Sequence, residues 1–597
     1  MTSERPDRPD VGPAVDGAAH DTADEPPGRG RAAGRRAGHE RSRVGARRHA
    51  ADGSERTVSW WLRVVVPVVV ALVPVVVAGV RAALGPWVPI GDAAYFTARS
   101  LDVGTEDHPL LGAWSSGSLD VGRSVNNLGP MQLDLLAPFT RIAPMGGTAI
   151  GTVAVHAAVI VTIAWLIRRL AGVAHVLPAM AAVSLLTWQL GSLLLITPTQ
   201  HQYLLIAWVG LLVAIWATIT GIRWALVPVV VLGSLLTQTH LSYPIPVAAL
   251  AVPVAVVGVI ALRRCSGATA SAGSSTDASS WRLPIVVASA VAIVLWAQTI
   301  VDQVAGSGNL GGVLSSGGGP ESPGFVTGLR LVAGVVVSPR GYLRPGYADY
   351  VPADALGGDA RVALLVVVIA GAVASAVLAW WRGHVRAATG SLVAATALVA
   401  AVVDAASLPL SSSFGLFDGN YRVLWGTAAF GVLGAACAAV ALATRAGGRA
   451  ARHVVDATLA AGLVALAVAN VPATSQVRDA DVHDELTGSV AAVVDALRDV
   501  ELSGPVLVDD SNMYFGHPYT YPTLVVLLER GVEFRFESEI QFRRFGDGRR
   551  SDGTERQRLT IWANDEAVAR RADPGTVVFV DGQPPVAYTL DDIDPTP

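Results

Sequence analysis

Residues 91–112 read GDAAYFTARSLDVGTEDHPLLG, and they follow an apolar segment at 62–84 that is long enough to cross a bilayer. Carboxylates, a histidine and turn residues crowd into this stretch, although the whole chain of 597 residues is 52% hydrophobic and only 15% charged. Soluble proteins of this length rarely have so few charges, so the composition predicts an integral membrane protein. The quoted stretch is then a polar loop directly behind the first membrane span.

Further segments along the chain each have close to the twenty apolar residues that a helix needs to cross hydrocarbon. They lie at 147–167, 176–197, 203–222, 224–241, 244–262, 283–303, 360–381, 387–408, 421–443 and 453–471. The short loops assigned to the cytoplasmic side carry arginine, whereas the short loops assigned outside, 198–202, 242–243 and 409–420, carry none. This positive-inside bias predicts a multi-pass protein of the plasma membrane with about eleven helices, its N-terminus in the cytoplasm and its C-terminus outside.

The N-terminal residues 1–57 have almost no large apolar side chains, so we predict a disordered cytoplasmic tail. Arginines are dense from Arg29 to Arg56. They either orient the first span or bind anionic lipid of the inner leaflet. The net charge of -4 gives no indication of a nucleic-acid partner, so membrane lipids are the expected surroundings.

The remaining chain divides into a membrane domain at 58–471, with outer loops 85–146 and 304–359, and a segment of soluble composition at 472–597. Within the second loop, 325–337 is apolar but too short to span, which predicts an interfacial or re-entrant helix. The final segment contains predicted strands and one predicted helix, which together indicate a small extracytoplasmic α/β domain. The strands lie at 505–509, 532–536, 558–562 and 576–580, and the helix at 519–530.

Asp92 is the first candidate catalytic residue. The chain leaves the membrane, turns at Gly91 and presents this carboxylate near the interface. A transferase of lipid-linked sugars needs a carboxylate at that level, either to deprotonate an acceptor hydroxyl or to hold a divalent cation such as Mg²⁺ or Mn²⁺. Tyr95 and Arg99 share a face with Asp92 if a helix follows, so both are candidate substrate-binding residues. The alternative is that Asp92 only caps that helix.

Glu106, Asp107 and His108 form the next candidate group. Two carboxylates and an imidazole can act as metal ligands or as a base with its orienting partner, and His108 is the second candidate catalytic residue. The alternative is an ordinary exposed acidic loop. Asn126 and Asn127 follow, and their amides either bind sugar hydroxyls or phosphate, or stabilise a turn.

Three arginines on the outer side run against the positive-inside bias and need a reason. A guanidinium group binds phosphate oxygens through two parallel hydrogen bonds, which suits a lipid phosphate. The alternative is pairing with nearby aspartates. The arginines are Arg340, Arg344 and Arg422, and the aspartates are Asp349, Asp354 and Asp418. In the last domain, Asp509 and Asp510 end a predicted strand and are a weaker candidate.

With these residues in view, the chain resembles the C-type (GT-C) glycosyltransferase superfamily of polytopic membrane enzymes, and locally it resembles uncharacterised multi-spanning actinobacterial proteins. The architectural match covers most of the chain, and the local match covers about fifty residues. The motifs that carry the local match are Gly91-Asp92, Asp102-Val103-Gly104-Thr105, His108-Pro109-Leu110-Leu111-Gly112 and Asn127-Leu128-Gly129-Pro130.

The resemblance implies an all-α polytopic fold, a polyprenyl-phosphate sugar donor, a cell-envelope acceptor and Asp92 as the catalytic or metal-binding aspartate. Two departures stand against it. Residues 93 and 94 are alanines where the superfamily often has a second acid, and Asn127 stands where the local pattern has histidine. Despite these departures, the expected function is a sugar transfer outside the membrane. The transfer is expected to invert the anomeric configuration, because one carboxylate activates the acceptor and the sequence offers no clear second nucleophile. The alternative is a non-catalytic envelope-assembly protein or a lipid-glycan transporter on the same scaffold.

Overall fold

The computed structural model describes residues 60–118, 123–267, 279–315, 321–337, 356–410, 416, 418–446, 448–472, 480–513 and 517–593. The predicted tail at 1–57 lies outside these residues, as do Arg340 and Arg344.

The membrane part has an apolar helix at every position where the hydropathy predicts a span. They are α1 (Trp61–Leu84), α4 (Gly147–Ala171), α5 (Val176–Leu194), α6 (Gln200–Ile219), α7 (Leu226–Thr239), α8 (Pro244–Gly267), α9 (Ser279–Ala305), α12 (Asp359–Trp381), α13 (Val385–Ala406), α14 (Val423–Ala446) and α15 (Gly448–Ala469). The predicted all-α polytopic fold is confirmed.

Nine of these helices, within the described residues, are long and apolar enough to cross a membrane. The structure differs from the predicted eleven spans at α7. The chain forms a 3-10 turn at Arg223–Ala225 before α7, which leaves that helix 14 residues, short of the roughly twenty that a span needs. In contrast, α8 has 24 residues and its sequence stays apolar as far as Leu262, so it is long enough to cross a membrane although it is not among the nine.

The centre of the bundle is α6, which packs against α4, α7 and α14. Its side chains are buried along almost its whole length, and Trp208 donates its indole N–H to Thr427 Oγ1 at 3.0 Å. In contrast, α12 and α15 expose most of their apolar side chains, as expected of helices that face lipid.

Short helices form the loops at one end of the bundle. They are α2 (Asp92–Leu101), α3 (Met131–Ile142), α10 (Asn309–Ser315) and α11 (Gly324–Val336). The helix predicted at 325–337 is confirmed as α11, which packs against α12, α13 and α14. α2 lies against α3 and α4, so the polar stretch that follows the first span is a packed helix and not an extended loop.

The C-terminal part is a small α/β domain, as the soluble composition predicts. Its elements are α16 (Ala480–Arg498), β1 (Val506–Asp509), α17 (Thr520–Glu529), β2 (Phe534–Arg535), α18 (Glu539–Phe545), β3 (Gln557–Ala563), α19 (Asn564–Ala569), β4 (Thr576–Val580) and β5 (Val586–Asp592). The sheet order is β2-β1-β3-β5-β4, with β1 parallel to β2 and β3 and with β5 antiparallel to β3 and β4. Sequence reasoning found four strands and α17 but missed α16 and β5.

One hydrophobic core joins α2 to the C-terminal domain. Tyr95 of α2 lies with its ring centroid 5.4 Å from that of Tyr521 in α17 and 5.5 Å from that of Phe545 in α18. Ala94, Phe96 and other residues of α2 belong to the same buried cluster as the sheet residues. The first loop and the C-terminal domain therefore lie at the same end of the helical bundle, as one packed unit.

Candidate functional site

Asp92 is the first residue of α2, and the preceding Gly91 creates the turn that places it there. Gly91 has φ +56°, a left-handed conformation that glycine adopts without steric cost. No side chain caps the start of α2 with a hydrogen bond, and Asp92 has no hydrogen bond or ion pair with any described residue. In the described geometry, Asp92 therefore does not cap α2.

The Asp92 carboxyl is accessible to solvent although protein surrounds it. Its side chain is exposed. Desolvation by the surrounding protein nevertheless raises its pKa, and the positive charge of Arg544 acts in the opposite direction. Both observations fit a side chain that lines a recess open to water. An unpaired carboxyl group with a raised pKa in a recess is the kind of group that general-base chemistry uses.

Tyr95 and Arg99 lie on one face of α2, as the helical spacing predicts, but this face is held by the C-terminal domain. Tyr95 donates its hydroxyl to the Arg544 carbonyl oxygen at 3.1 Å and accepts from the Trp114 backbone N–H at 3.3 Å. Arg99 donates to the Phe545 carbonyl oxygen at 2.9 Å and pairs with Asp102 at 2.6 Å. Both side chains are buried, so they position α2 beside the domain.

A buried ion network fastens the rest of the first loop to the same domain. Arg549 Nη2 lies 3.0 Å from Asp102 Oδ1 and 2.8 Å from Asp107 Oδ2. A Cβ atom on Gly548 would lie 2.6 Å from Asp107 Oδ1, so a larger residue there would displace the carboxylate that pairs with Arg549. Asp107 thus acts in an ion pair, and Glu106 beside it is exposed, with no partner among the described residues.

The C-terminal domain also contributes side chains to the surroundings of Asp92. Tyr521 of α17 and Arg544 of α18 interact electrostatically with Asp92, and Arg544 acts in the same way on Asp510, which follows β1. The pKa of Tyr521 is raised, mainly by desolvation, and the charges of both Arg544 and Asp92 act on its hydroxyl. Sequence reasoning singled out Asp510 but missed Tyr521 and Arg544, because nothing local marks them as neighbours of a residue more than 400 positions earlier.

His108 is held by hydrogen bonds on both ring nitrogens. Nδ1 accepts the Gly104 backbone N–H at 2.9 Å, so the proton of a neutral ring is on Nε2, which lies 3.1 Å from Gln298 Oε1. Gln298 in turn donates to Asp134 Oδ2 at 2.8 Å. Desolvation raises the pKa of Asp134, while the Gln298 hydrogen bond and the His108 charge lower it. The structure thus links His108 to Asp134 through α9.

Asn126 and Asn127 connect loops through their amide and backbone groups. The Asn126 backbone N–H donates to Asn309 Oδ1 at 2.9 Å, and Asn309 Nδ2 donates to the Asn126 carbonyl oxygen, also at 2.9 Å. Asn127 donates Nδ2 to the Ala113 carbonyl oxygen at 2.9 Å and accepts the Leu241 N–H at 3.0 Å. Of the two readings open at the sequence level, the described contacts fit the structural one.

Replacement of Asn309 by alanine is expected to lower the free energy of unfolding by about 1–3 kcal/mol, because it leaves a partly buried N–H and C=O of Asn126 unpaired. Asn309→Asp keeps an acceptor but loses the donor, so we expect it to recover only part of the loss. Thermal unfolding of the purified protein measures both variants. Unfolding of Asn309→Ala at the wild-type temperature would contradict this role.

Arg422 lies in a second polar cluster, at the start of α14. Its Nη1 lies 3.0 Å from the Gln202 amide oxygen when that amide is oriented to accept, and its charge acts on His201. His201 and His240 pack edge to face with ring centroids 4.9 Å apart. This cluster joins the ends of α6, α7 and α14, and Arg422 is buried within it.

A divalent cation at Asp92 was one sequence-level expectation. Among the described residues, no group of three His, Cys, Asp or Glu side chains could hold a metal ion. The charged side chain that acts on Asp92 is Arg544, itself a cation. These residues do not fit a metal site by themselves, so we derive no step through a metal, and a divalent-cation requirement stays a prediction.

Fold and site together define a multi-pass helical membrane protein whose C-terminal α/β domain packs against α2, the helix that begins at Asp92. No protein-family model matches the chain, and no curated protein matches it. Among solved structures it is similar to ArnT from Cupriavidus metallidurans in the apo state, with a TM-score of 0.48 at 13% identity over 90% of this chain and 98% of that one.

Two further solved structures are similar at lower scores. ArnT from Cupriavidus metallidurans bound to undecaprenyl phosphate has a TM-score of 0.41 at 13% identity, over 88% of this chain and 97% of that one. An Archaeoglobus fulgidus oligosaccharyltransferase in complex with Zn and sulfate has a TM-score of 0.39 at 11% identity, over 83% of this chain and 67% of that one. Likeness at this level leaves the chemistry to be argued from the side chains of this chain.

Proposed function

We propose that the protein transfers a sugar from a polyprenyl-phosphate donor to a glycan, lipid or protein acceptor of the cell envelope, on the outer face of the membrane. The observation that carries the proposal is the Asp92 carboxyl, which is accessible, unpaired among the described residues, and surrounded by protein. Only residues 85–91 separate it from the end of α1. A carboxyl group so close to a span can reach a sugar whose phosphate lies at the headgroup level.

In the proposed reaction, Asp92 accepts the proton of an acceptor hydroxyl as that oxygen attacks the anomeric carbon. The bond from the anomeric carbon to the phosphate oxygen breaks, and its electron pair leaves with the polyprenyl phosphate. A single displacement of this kind inverts the anomeric configuration. General-base assistance by a positioned carboxylate contributes about 10²–10⁴-fold to such a step.

Exposed apolar residues at the ends of two helices suggest that the site lies close to the lipid. Leu84 at the end of α1 and Ile142 at the end of α3 are 84% and 85% exposed, and exposed aliphatic side chains of this size suit contact with a bilayer. We propose that Arg422, together with Arg340 and Arg344, holds the lipid phosphate, since guanidinium groups bind phosphate oxygens bidentately. In this orientation the N-terminus is cytoplasmic and the C-terminal domain lies outside.

The test is transfer by the purified full-length protein in lipid nanodiscs, with radiolabelled polyprenyl-phosphate sugars and isolated cell-envelope acceptors. Nucleotide sugars with the same sugar groups are the matched control, because they lack the lipid. We expect labelled product from lipid-linked donors alone, with inverted configuration. Parallel reactions with EDTA or with added Mg²⁺ and Mn²⁺ report on a divalent cation. A folded sample without transfer from any donor would overturn the proposal and favour a non-catalytic assembly protein.

A further inference from the structure

Arg544 lies beside α2, and its positive charge acts on Asp92, the first residue of that helix. It is buried near the end of α18, and its Nη1 donates to the Tyr521 hydroxyl. Its guanidinium carbon lies 4.9 Å from the centroid of the Trp114 ring, and its carbonyl oxygen accepts the Tyr95 hydroxyl at 3.1 Å. Contacts to both the first loop and the C-terminal domain therefore hold this one side chain.

The positive charge of Arg544 acts on two carboxyl groups, Asp92 of the first loop and Asp510 of the C-terminal domain. Desolvation raises the pKa of Asp92 and of Asp510, and in both cases Arg544 acts against that rise. Asp510 also accepts a hydrogen bond from Gln541 Nε2. The charge of this one guanidinium group therefore acts on a carboxyl group of the first loop and on a carboxyl group of the C-terminal domain.

We propose that Arg544 is a positioning residue for Asp92, and that the C-terminal domain thereby completes the active site. The inference rests on the proposed function, since it assigns Arg544 to the same recess. Its guanidinium group favours the ionised form of Asp92, which is the form that accepts a proton. Opposite charges that lie close together near a protein surface interact strongly enough to shift such an equilibrium about tenfold.

The other charged groups packed around α2 are engaged elsewhere. On α2 itself, Arg99 pairs with Asp102. On α3, Asp134 accepts from Gln298, and Arg141 donates to the Val103 carbonyl oxygen. The polar contact between α2 and α4 is an uncharged pair of threonine hydroxyls. From the C-terminal domain, Tyr521 and Arg544 face Asp92, and of these only Arg544 is a cation.

The test uses the pH dependence of carbodiimide labelling at Asp92, because the reagent attacks the protonated carboxyl group. Peptide mass spectrometry separates Asp92 from other labelled carboxyls, and no turnover is needed. In Arg544→Gln we expect the labelling midpoint to rise by about one pH unit. The matched control is Arg543→Gln on the same helix, an exposed arginine that pairs with Glu539 and is expected to leave the midpoint unchanged.

A second variant protects the test against misfolding of Arg544→Gln. Tyr521→Phe keeps the ring that packs against Tyr95 but removes the hydroxyl that anchors Arg544, so we expect a smaller rise of the midpoint. Wild-type midpoints in both folded variants would overturn the role of Arg544, whether or not Asp92→Asn transfers sugar. A raised midpoint in Arg544→Gln, together with no transfer by the folded wild-type protein from any donor, would instead support the action of Arg544 on Asp92 and overturn the proposed function.

Discussion

Asp92→Asn is expected to lower the rate of sugar transfer by about a hundredfold or more, without loss of folding. Asparagine has nearly the size of aspartate but cannot accept a proton, so the variant removes the general base and little else. Asp92 has no hydrogen bond or ion pair with a described residue, and its side chain is exposed, so its replacement breaks no contact that stabilises the fold.

Kinetics of the purified variant in nanodiscs measure this effect, and Glu106→Gln is the matched control. Glu106 is an exposed carboxylate of the same loop with no partner among the described residues, so its loss should leave the rate unchanged. Desolvation by the surrounding protein raises the pKa of Asp92. As the pH is lowered, we therefore expect the wild-type rate to fall already above the pH range in which an ordinary aspartate is protonated. Equal rates for Asp92→Asn and wild type would reject Asp92 as the base.

Arg549→Ala is expected to lower the free energy of unfolding by about 3–5 kcal/mol, the usual cost of removing one partner from a buried ion pair. Arg549 pairs with both Asp102 and Asp107, and its guanidinium carbon lies 4.1 Å from the centroid of the Phe534 ring. Without it, Asp102 stays buried with Arg99 as its one remaining cation. Thermal unfolding, with hydrogen exchange across α2, measures the loss.

Arg550→Ala is the control for this prediction, since Arg550 is the next residue and forms an exposed ion pair with Asp547 at 3.5 Å. Exposed pairs contribute about 0–1 kcal/mol, so the control should unfold close to the wild type. Arg549→Ala combined with Asp102→Asn should recover part of the loss, because it also removes a buried charge. Equal stability of Arg549→Ala and Arg550→Ala would show that the network does not fasten the domain.

The spans and most strands were predictable because the signals that mark them are local. Apolar runs of about twenty residues mark the helices, the short outer loops lack arginine, and α11 was recognised as too short to span. The first loop was also recognised as the place of the candidate base. The helical spacing that links Asp92, Tyr95 and Arg99 holds in α2.

The partners of that loop could not be predicted, because each comes from a distant part of the chain. Arg544 and Arg549 look like ordinary surface arginines of a short helix and turn, yet both are buried against the first loop. Asn127 was a candidate for binding substrate, but its contact with the Leu241 N–H depends on the turn between α7 and α8. No periodicity in the sequence encodes such pairings, which arise only when the domains pack.

The core shared by α2 and the C-terminal domain also affects the order in which the site forms during synthesis. The Tyr95 and Arg99 contacts join residues 449 and 446 positions apart. At about 5–20 residues per second, a ribosome needs roughly 20 to 90 s to make the chain between them. During that interval the C-terminal residues that pack against Tyr95 of α2 have not yet been synthesised, so this aromatic side chain lacks its later partners. A nascent chain therefore holds Asp92 long before it holds Arg544, and the complete recess forms only near the end of synthesis.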